Sequence, residues 1–262
     1  MSARRGSPPF VLAVGGSDPT AGAGVEADVR TLESLGVGSA VAITAIAVQD
    51  GVRVRSVRAL APKLVAEQME AAFDAVPVAM VKCGMLARPT IVAAVAQVVG
   101  ERGVPLVLDP VLRASGGEAL GSPALARALA ERLVPLARVV TPNLAEASAI
   151  VSFPVDDVAS MENAARAIVG LGARAAVVKG GHLAGTCVDV LADGRRITRF
   201  SARRIEGDMH GTGCAFAAAL AAGLARGLPL HRSVEMARDH IRTLLRQALR
   251  MPRGARLRAP RR

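Results

Sequence analysis

The chain has no tryptophan, no tyrosine and only five phenylalanines among its 262 residues. Aromatic side chains therefore cannot dominate its core, and Val, Leu, Ile and Ala must fill it. About half of the residues are hydrophobic, which is ample for one large domain. Cysteine is also scarce. Cys83, Cys187 and Cys214 are odd in number and far apart, which excludes a disulfide framework or a zinc site. No signal peptide is visible in the opening residues, so the expectation is a cytoplasmic protein with reduced thiols. The apolar stretch "CAFAAALAAGLA" is shorter than the roughly 20 residues a membrane span needs, so no membrane partner is expected.

Lysine is rare as well, three against thirty arginines, yet the net charge is +11. Location decides what that charge means. Eight arginines lie in residues 242–262 and two more are Arg4 and Arg5, with no acidic residue in either end. Without those ten, 23 basic residues face 22 acidic ones, so the body is close to neutral. The segment "MPRGARLRAPRR" has no aromatic residue on which a base could stack, and no specific nucleic-acid partner is expected.

What is present is an alternation of apolar runs and helical patterns. The runs at 10–16, 39–49, 79–84, 105–111, 137–143 and 174–181 read as strands, and the segments between them as helices. Residues 52–60 alternate like a half-exposed edge strand, and Asp193-Gly194 marks a hairpin turn. Ser122-Pro123 starts one helix, another begins near Ser160, and two close the chain at about 212–226 and 229–249. This order predicts an α/β fold with a mostly parallel sheet covered on both faces and a few antiparallel strands at its edge. No linker interrupts it. The expected organisation is a flexible N-terminus (1–9), a single domain (10–250) and a basic C-terminal tail (251–262).

In such sheets ligands bind beyond the carboxyl ends of the strands, and unusual residues collect there. The first strand runs into "GGSDPTAGAG", whose four glycines let backbone approach a ligand, although no Walker lysine follows. Asp109 ends another strand. Asn143 and Glu146 are three apart, a spacing that suits either a water-mediated Mg²⁺ site or simply a capping box. Lys179 stands at the tip of an apolar strand beside two glycines; His182 alone reads as a loop histidine. In "DMHGTGCAFAAALAAG", Gly211, Thr212 and Gly213 lead into a helix, so free backbone N–H groups and the helix dipole converge on an anion site. Cys214 feels that field, which predicts a thiolate-leaning thiol. Cys83 and Cys187, on apolar strands, read as core residues.

The stretches "GGSDPTAGAGVEADVRT", "ITAIAVQDG", "KCGML", "VLDPV", "TPNLAEA", "VKGGH" and "HGTGCAFAAALAAGLA", in this order, resemble the hydroxymethylpyrimidine kinase/phosphomethylpyrimidine kinase family of the ribokinase-like superfamily. The resemblance covers about residues 10–248 and implies a ribokinase-like three-layer α/β/α fold. It implies phosphorylation by ATP of 4-amino-5-hydroxymethyl-2-methylpyrimidine and of its monophosphate, in thiamine biosynthesis, with Mg²⁺. It places Gly16, Ala23, Asp28, Gln49 and Met85 at the pyrimidine, and Lys179, Asn143 and His210 on the ATP phosphate side. Asp109 and Glu146 become the metal-side carboxylates, Gly211–Gly213 the anion hole, and Cys214 the residue standing where sugar kinases carry a general-base Asp. It also implies a homodimer. Departures are Ser115 and Gly116 in place of a Lys-Ser pair, Asp50 after Gln49, and the local variants Asp208 and Met209. A pyridoxal or pyridoxine kinase of the same superfamily is the rival reading. A non-catalytic pyrimidine sensor would be expected to lack Cys214, Lys179 or the glycine frame.

Overall fold

The computed structural model describes residues 8–113, 117, 120–181, 183, 185–194, 196–205, 207, 209–250 and 256–257. Ser115, Gly116, His182 and Asp208, along with residues 1–7 and most of the basic tail, lie outside the described residues. The apolar runs become strands of one nine-stranded sheet. They are β1 (Phe10–Ser17), β2 (Gly38–Gln49), β3 (Val54–Ala59), β4 (Val78–Cys83), β5 (Leu106–Leu108), β6 (Ala137–Val140), β7 (Ala175–Val178), β8 (Cys187–Asp193) and β9 (Arg196–Ala202). Their order across the sheet is β3-β2-β1-β4-β5-β6-β7-β8-β9. From β2 to β7 all neighbours are parallel; β3 at one edge and the β8–β9 hairpin at the other are joined antiparallel. Parallel neighbours, antiparallel edges and the Asp193-Gly194 turn agree with the sequence pattern. Gly194 there has a φ of +58°.

The helices are α1 (Gly24–Ser34), α2 (Pro62–Ala75), α3 (Pro89–Arg102), α4 (Pro123–Ala128), α5 (Leu144–Val151), α6 (Val158–Gly170), α7 (Thr212–Ala225) and α8 (Leu230–Gln247). They divide by face. Leu12, Val81, Leu106 and Leu108 point to the layer of α2–α6, whereas Val11, Met80, Val107, Val139 and Val177 point to α1, α7 and α8. This is the period-2 alternation of strands feeding two cores, and it makes the molecule three-layered. The alanine-rich α7 is buried at every residue from Ala215 to Leu224. A helix enclosed all round needs apolar residues on every side. Small ones let the sheet and α8 come close: a Cβ at Gly223 would stand 2.8 Å from Ser233 Oγ.

Several boundaries move for local reasons. β5 stops at Leu108, short of the run ending at 111: Asp109 N still donates to Cys83 O on β4, but Pro110 has no N–H to carry the ladder on. β7 ends at Val178, although Lys179 N still donates to Pro142 O. α6 starts at Val158 rather than Ser160, since Asp157 is the cap and Ser160 closes its capping box. Ser122 caps α4 as expected, accepting from Leu125 N. Among the described residues no helix is long and apolar enough to cross a membrane.

Candidate functional site

The strand order reverses between β1 and β4, which opens a crevice beyond their carboxyl ends. A cleft of about 550 Å³ lies there and extends along the ends of β5, β6 and β7 to the start of α7. Its chemistry follows from strand parity. Continuing two residues past the last apolar side chain on the α1/α7/α8 face brings Met80 to Lys82, Val107 to Asp109, Val139 to Thr141 and Val177 to Lys179. Four adjacent strands thus deliver two ammonium groups, a carboxylate and a hydroxyl to the same face, under the N-terminus of α7.

Gly211 caps α7 with a φ of +81°, and a Cβ there would lie 1.9 Å from Gly22 O. Both conformation and space demand glycine. The first N–H groups of α7 have no acceptor within the helix and open towards the cleft. A Cβ at Gly213 would stand 3.3 Å from Lys179 Nζ and 3.9 Å from Asp109 Oδ2, so these two groups converge over the helix start. Lys179 donates to Asp109 Oδ1 at 2.9 Å, and Thr141 Oγ1 is 3.4 Å from the same oxygen. Burial alone would lower the Lys179 pKa, but Asp109 and Glu146 outweigh it and hold the ammonium charged. Behind Lys179, Gly180 N donates to Asp189 Oδ1 at 2.9 Å, and Arg238 pairs with the other oxygen of Asp189.

Cys214 corrects the sequence expectation. Burial of its thiol, with Asp109 and Asp28 nearby, pushes its pKa up to about 11 despite Lys82 and a bond from Gly24 N–H. The helix field is present, but desolvation and two carboxylates exceed it, so the group is a thiol at neutral pH. Cys187 is a second correction. It is half-buried on the cleft wall, because β8 runs antiparallel and begins at the carboxyl edge. Cys83 is fully buried, as expected.

Asn143 and Glu146 form the capping box of α5: Asn143 Oδ1 accepts from Glu146 N and Glu146 Oε2 from Asn143 N, both at 2.9 Å. Glu146 nevertheless lines the cleft, and burial raises its pKa against the pull of Lys179. Among the described residues no group of three or more His, Cys, Asp or Glu side chains could hold a metal alone.

At the other end of the cleft stand Gly16, Ala23, Asp28, Gln49 and Met85. Asp28 is wholly buried and ion-paired to Lys82, whose Nζ lies 2.9 and 2.8 Å from its two oxygens. Lys82 was visible in sequence as a charge inside the apolar run "AMVKCG", a signal the motif reading passed over. Asp18 was missed too. Its carboxylate accepts from Thr20 N at 2.9 Å and from Ala23 N at 2.8 Å, and meets His210 Nε2 at 2.9 Å. Burial would raise its pKa, but His210 and the backbone donors carry it far below the ordinary value. The Asp-x-Thr spacing of an Asx-type turn was its sequence signature. This bond ties the β1 loop, with Ala23, to the loop that leads into α7, with His210 and Gly211. Arg203, Arg204, Arg238 and Arg242 line the cleft beyond Lys179. Arg242, grouped with the basic tail by composition, belongs to α8. The residues expected at the pyrimidine, the nucleotide phosphates, the metal and the helix start, from Gly16 to Cys214, therefore border one cleft.

Comparison with known proteins places the chain among its relatives. The chain matches the family model described as phosphomethylpyrimidine kinase over residues 18–257. It is 43% identical over 248 residues to a hydroxymethylpyrimidine/phosphomethylpyrimidine kinase of Rhizobium meliloti, covering 94% of this chain and 93% of that protein. It is 41% identical over 254 residues to the protein of that name from Mycobacterium tuberculosis, covering 95% and 92%. Among solved structures it is similar to a Bacillus subtilis pyridoxal kinase in complex with ADP, with a TM-score of 0.90 and 31% identity over 96% of this chain and 97% of that one. A phosphomethylpyrimidine kinase from Clostridium difficile superposes with a TM-score of 0.80 and 30% identity, over 90% and 98% of the two chains.

Proposed function

This chain belongs to the phosphomethylpyrimidine kinase family, and on that premise we propose that it phosphorylates 4-amino-5-hydroxymethyl-2-methylpyrimidine and then the monophosphate, giving the diphosphate used in thiamine biosynthesis. The observation that carries this reading is the single cleft in which a glycine-framed helix start, a Lys179–Asp109 pair and a carboxylate-bearing pocket face one another. ATP is the phosphoryl donor that a kinase of this family uses.

The chain's own residues divide the work. Asp28, Gln49 and the Ala23 backbone offer acceptors and donors to an aminopyrimidine, and Met85 walls the ring. The hydroxymethyl group then points at Cys214 and the start of α7. As phosphate charge builds in transfer, the N–H groups from Gly211 to Gly213 and the Lys179 ammonium face it. His210 shapes the same loop through Asp18, and Asn143 caps α5 beside it. Cys214, held as a thiol, orients the substrate hydroxyl and is not a standing base, so positioning and charge stabilisation account for the rate.

Mg²⁺ fits the donor set as a partner of the nucleotide. Asp109 uses Oδ1 for Lys179, leaving Oδ2 towards Gly213, and Glu146 adds a second carboxyl group. One or two carboxylates, waters and substrate phosphates are the usual surroundings of this small hard ion. Asp109 and Glu146 would hold it, and it would supply neutralisation of phosphate charge.

Pyridoxal phosphorylation is the second reading, favoured by the high TM-score with the pyridoxal kinase. Parallel assays with ATP and Mg²⁺ decide: kcat/KM for the pyrimidine exceeds that for pyridoxal and pyridoxine, and the opposite order overturns the first reading. Separate assays of the pyrimidine alcohol and its monophosphate show both steps. The same reading makes the protein a cytoplasmic homodimer. Ile46, Val48 and Val52, exposed on the outer β2–β3 ribbon, are consistent with association there, and sedimentation of the purified chain tests it.

A further inference from the structure

At the floor of the cleft two charges have been taken out of water together. Asp28 on α1 and Lys82 at the penultimate position of β4 are each 1% exposed as side chains. Lys82 Nζ grips both carboxylate oxygens, at 2.9 and 2.8 Å. Stability gives no reason to keep such a pair, since an apolar pair of similar volume is often as stable or more so. A ligand gives one. The pair borders the cleft beside Gln49 and Met85, at the reversal of strand order. To receive an amino group from a heteroaromatic ring, a carboxylate must be ionised and must not rotate. Burial drives Asp28 towards its neutral form, and the Lys82 ammonium opposes that. Each carboxylate oxygen has more than one lone pair, so the grip of Lys82 leaves acceptor directions for a ligand.

We propose that Lys82 is a positioning residue for the heterocycle: by holding both oxygens of Asp28, it sets the orientation of the carboxylate that the substrate ring meets. The proposal rests on the reading that this end of the cleft takes the alcohol substrate. Lys82 acts through Asp28, while the nucleotide end is served by the separate Lys179–Asp109 pair.

A double-mutant cycle tests this. Wild type, Lys82→Met, Asp28→Asn and the double variant are compared in steady-state kinetics with the aminopyrimidine alcohol and with pyridoxal, and with ATP varied separately. Lys82→Met raises KM for the preferred alcohol about tenfold or more and changes KM for ATP less than about twofold. The double variant melts at a higher temperature than Lys82→Met, because no buried charge is left unpaired. Its KM for the alcohol nevertheless equals that of Asp28→Asn within about twofold, as a role exercised through Asp28 requires. Multiplicative effects, equal rises in both KM values, or a wild-type alcohol KM in Lys82→Met would overturn the proposal. If Lys82→Met is not recovered folded, the double variant against Asp28→Asn still decides, since any further loss of alcohol affinity counts against it. Wild-type protein that phosphorylates neither alcohol sinks the functional reading and this proposal with it. Turnover of one alcohol with a failed cycle sinks the proposal alone.

Discussion

Two lysine–aspartate pairs stand at the ends of one cleft, and they are built differently. Lys82 holds both oxygens of Asp28, and neither side chain is more than 1% exposed. Lys179 holds one oxygen of Asp109 and is itself 14% exposed. The first pair is closed and has a fixed geometry. The second is open, with ammonium donors and a carboxylate oxygen directed at the start of α7. The closed pair suits recognition of a rigid ring. The open pair suits phosphate groups and a cation that arrive and leave with each turnover.

The largest expected effect comes from breaking each pair in turn. Lys179→Met lowers kcat by roughly 10²- to 10³-fold, the usual cost of removing one charge-stabilising donor, and costs less stability than Lys82→Met because Asp109 keeps Thr141 Oγ1 as a partner. Lys82→Met has the larger effect on stability, about 3–5 kcal/mol by denaturant melts, because it leaves a wholly buried carboxylate unpaired. Similar stability losses in both variants would erase the distinction between closed and open.

Cys214 lies between the two pairs and feels both. As an orienting thiol, it can be replaced by serine with most of kcat retained, while Cys214→Ala loses roughly tenfold and still binds the pyrimidine by calorimetry. A loss above about 10³-fold in the alanine variant would restore the general-base role. Alkylation of the free protein by iodoacetamide provides the matching check. Reaction at Cys214 is slow at pH 7 and climbs as pH approaches about 11.

Asp18 joins the loops that serve the two ends. Its folded pKa lies below the ordinary value of 3.8, so its contribution to stability is complete above that value and is lost as pH falls below it. Asp18→Asn is therefore less stable than wild type at pH 7, and the difference narrows below about pH 4 in urea melts at each pH. A constant difference across that range would show that its charge is irrelevant. The smallest effect is expected outside both ends: deleting residues 252–262 leaves kcat/KM within about twofold, since the basic tail supplies no residue to the cleft among those described.

Much of this was legible beforehand. Apolar runs and turn residues identified the strands, their parallel arrangement and the hairpin at Asp193-Gly194. Glycines around Cys214 marked a helix start, and α7 begins there with Gly211 as its cap. What escaped was whatever depends on neighbours distant in the chain. Lys82 looks like a blemish in a strand until α1 places Asp28 against it, 54 positions away. Asp18 reads as a turn former until His210, 192 positions on, meets its carboxylate. Asn143 and Glu146 looked equally suited to a cap and to a metal, and the cap is what their side chains form.

Local structure, then, was decided by sequence: which segments are strands, where the chain must turn, and that a glycine-framed helix starts at Thr212. Those properties depend on side-chain periodicity and backbone conformation within a few residues. The state of the ionisable groups was decided by tertiary structure alone. The same helix start that should favour a thiolate holds Cys214 as a thiol, because burial and two carboxylates from other segments outweigh the dipole. Desolvation is a property of the assembled fold, and no stretch of sequence carries it.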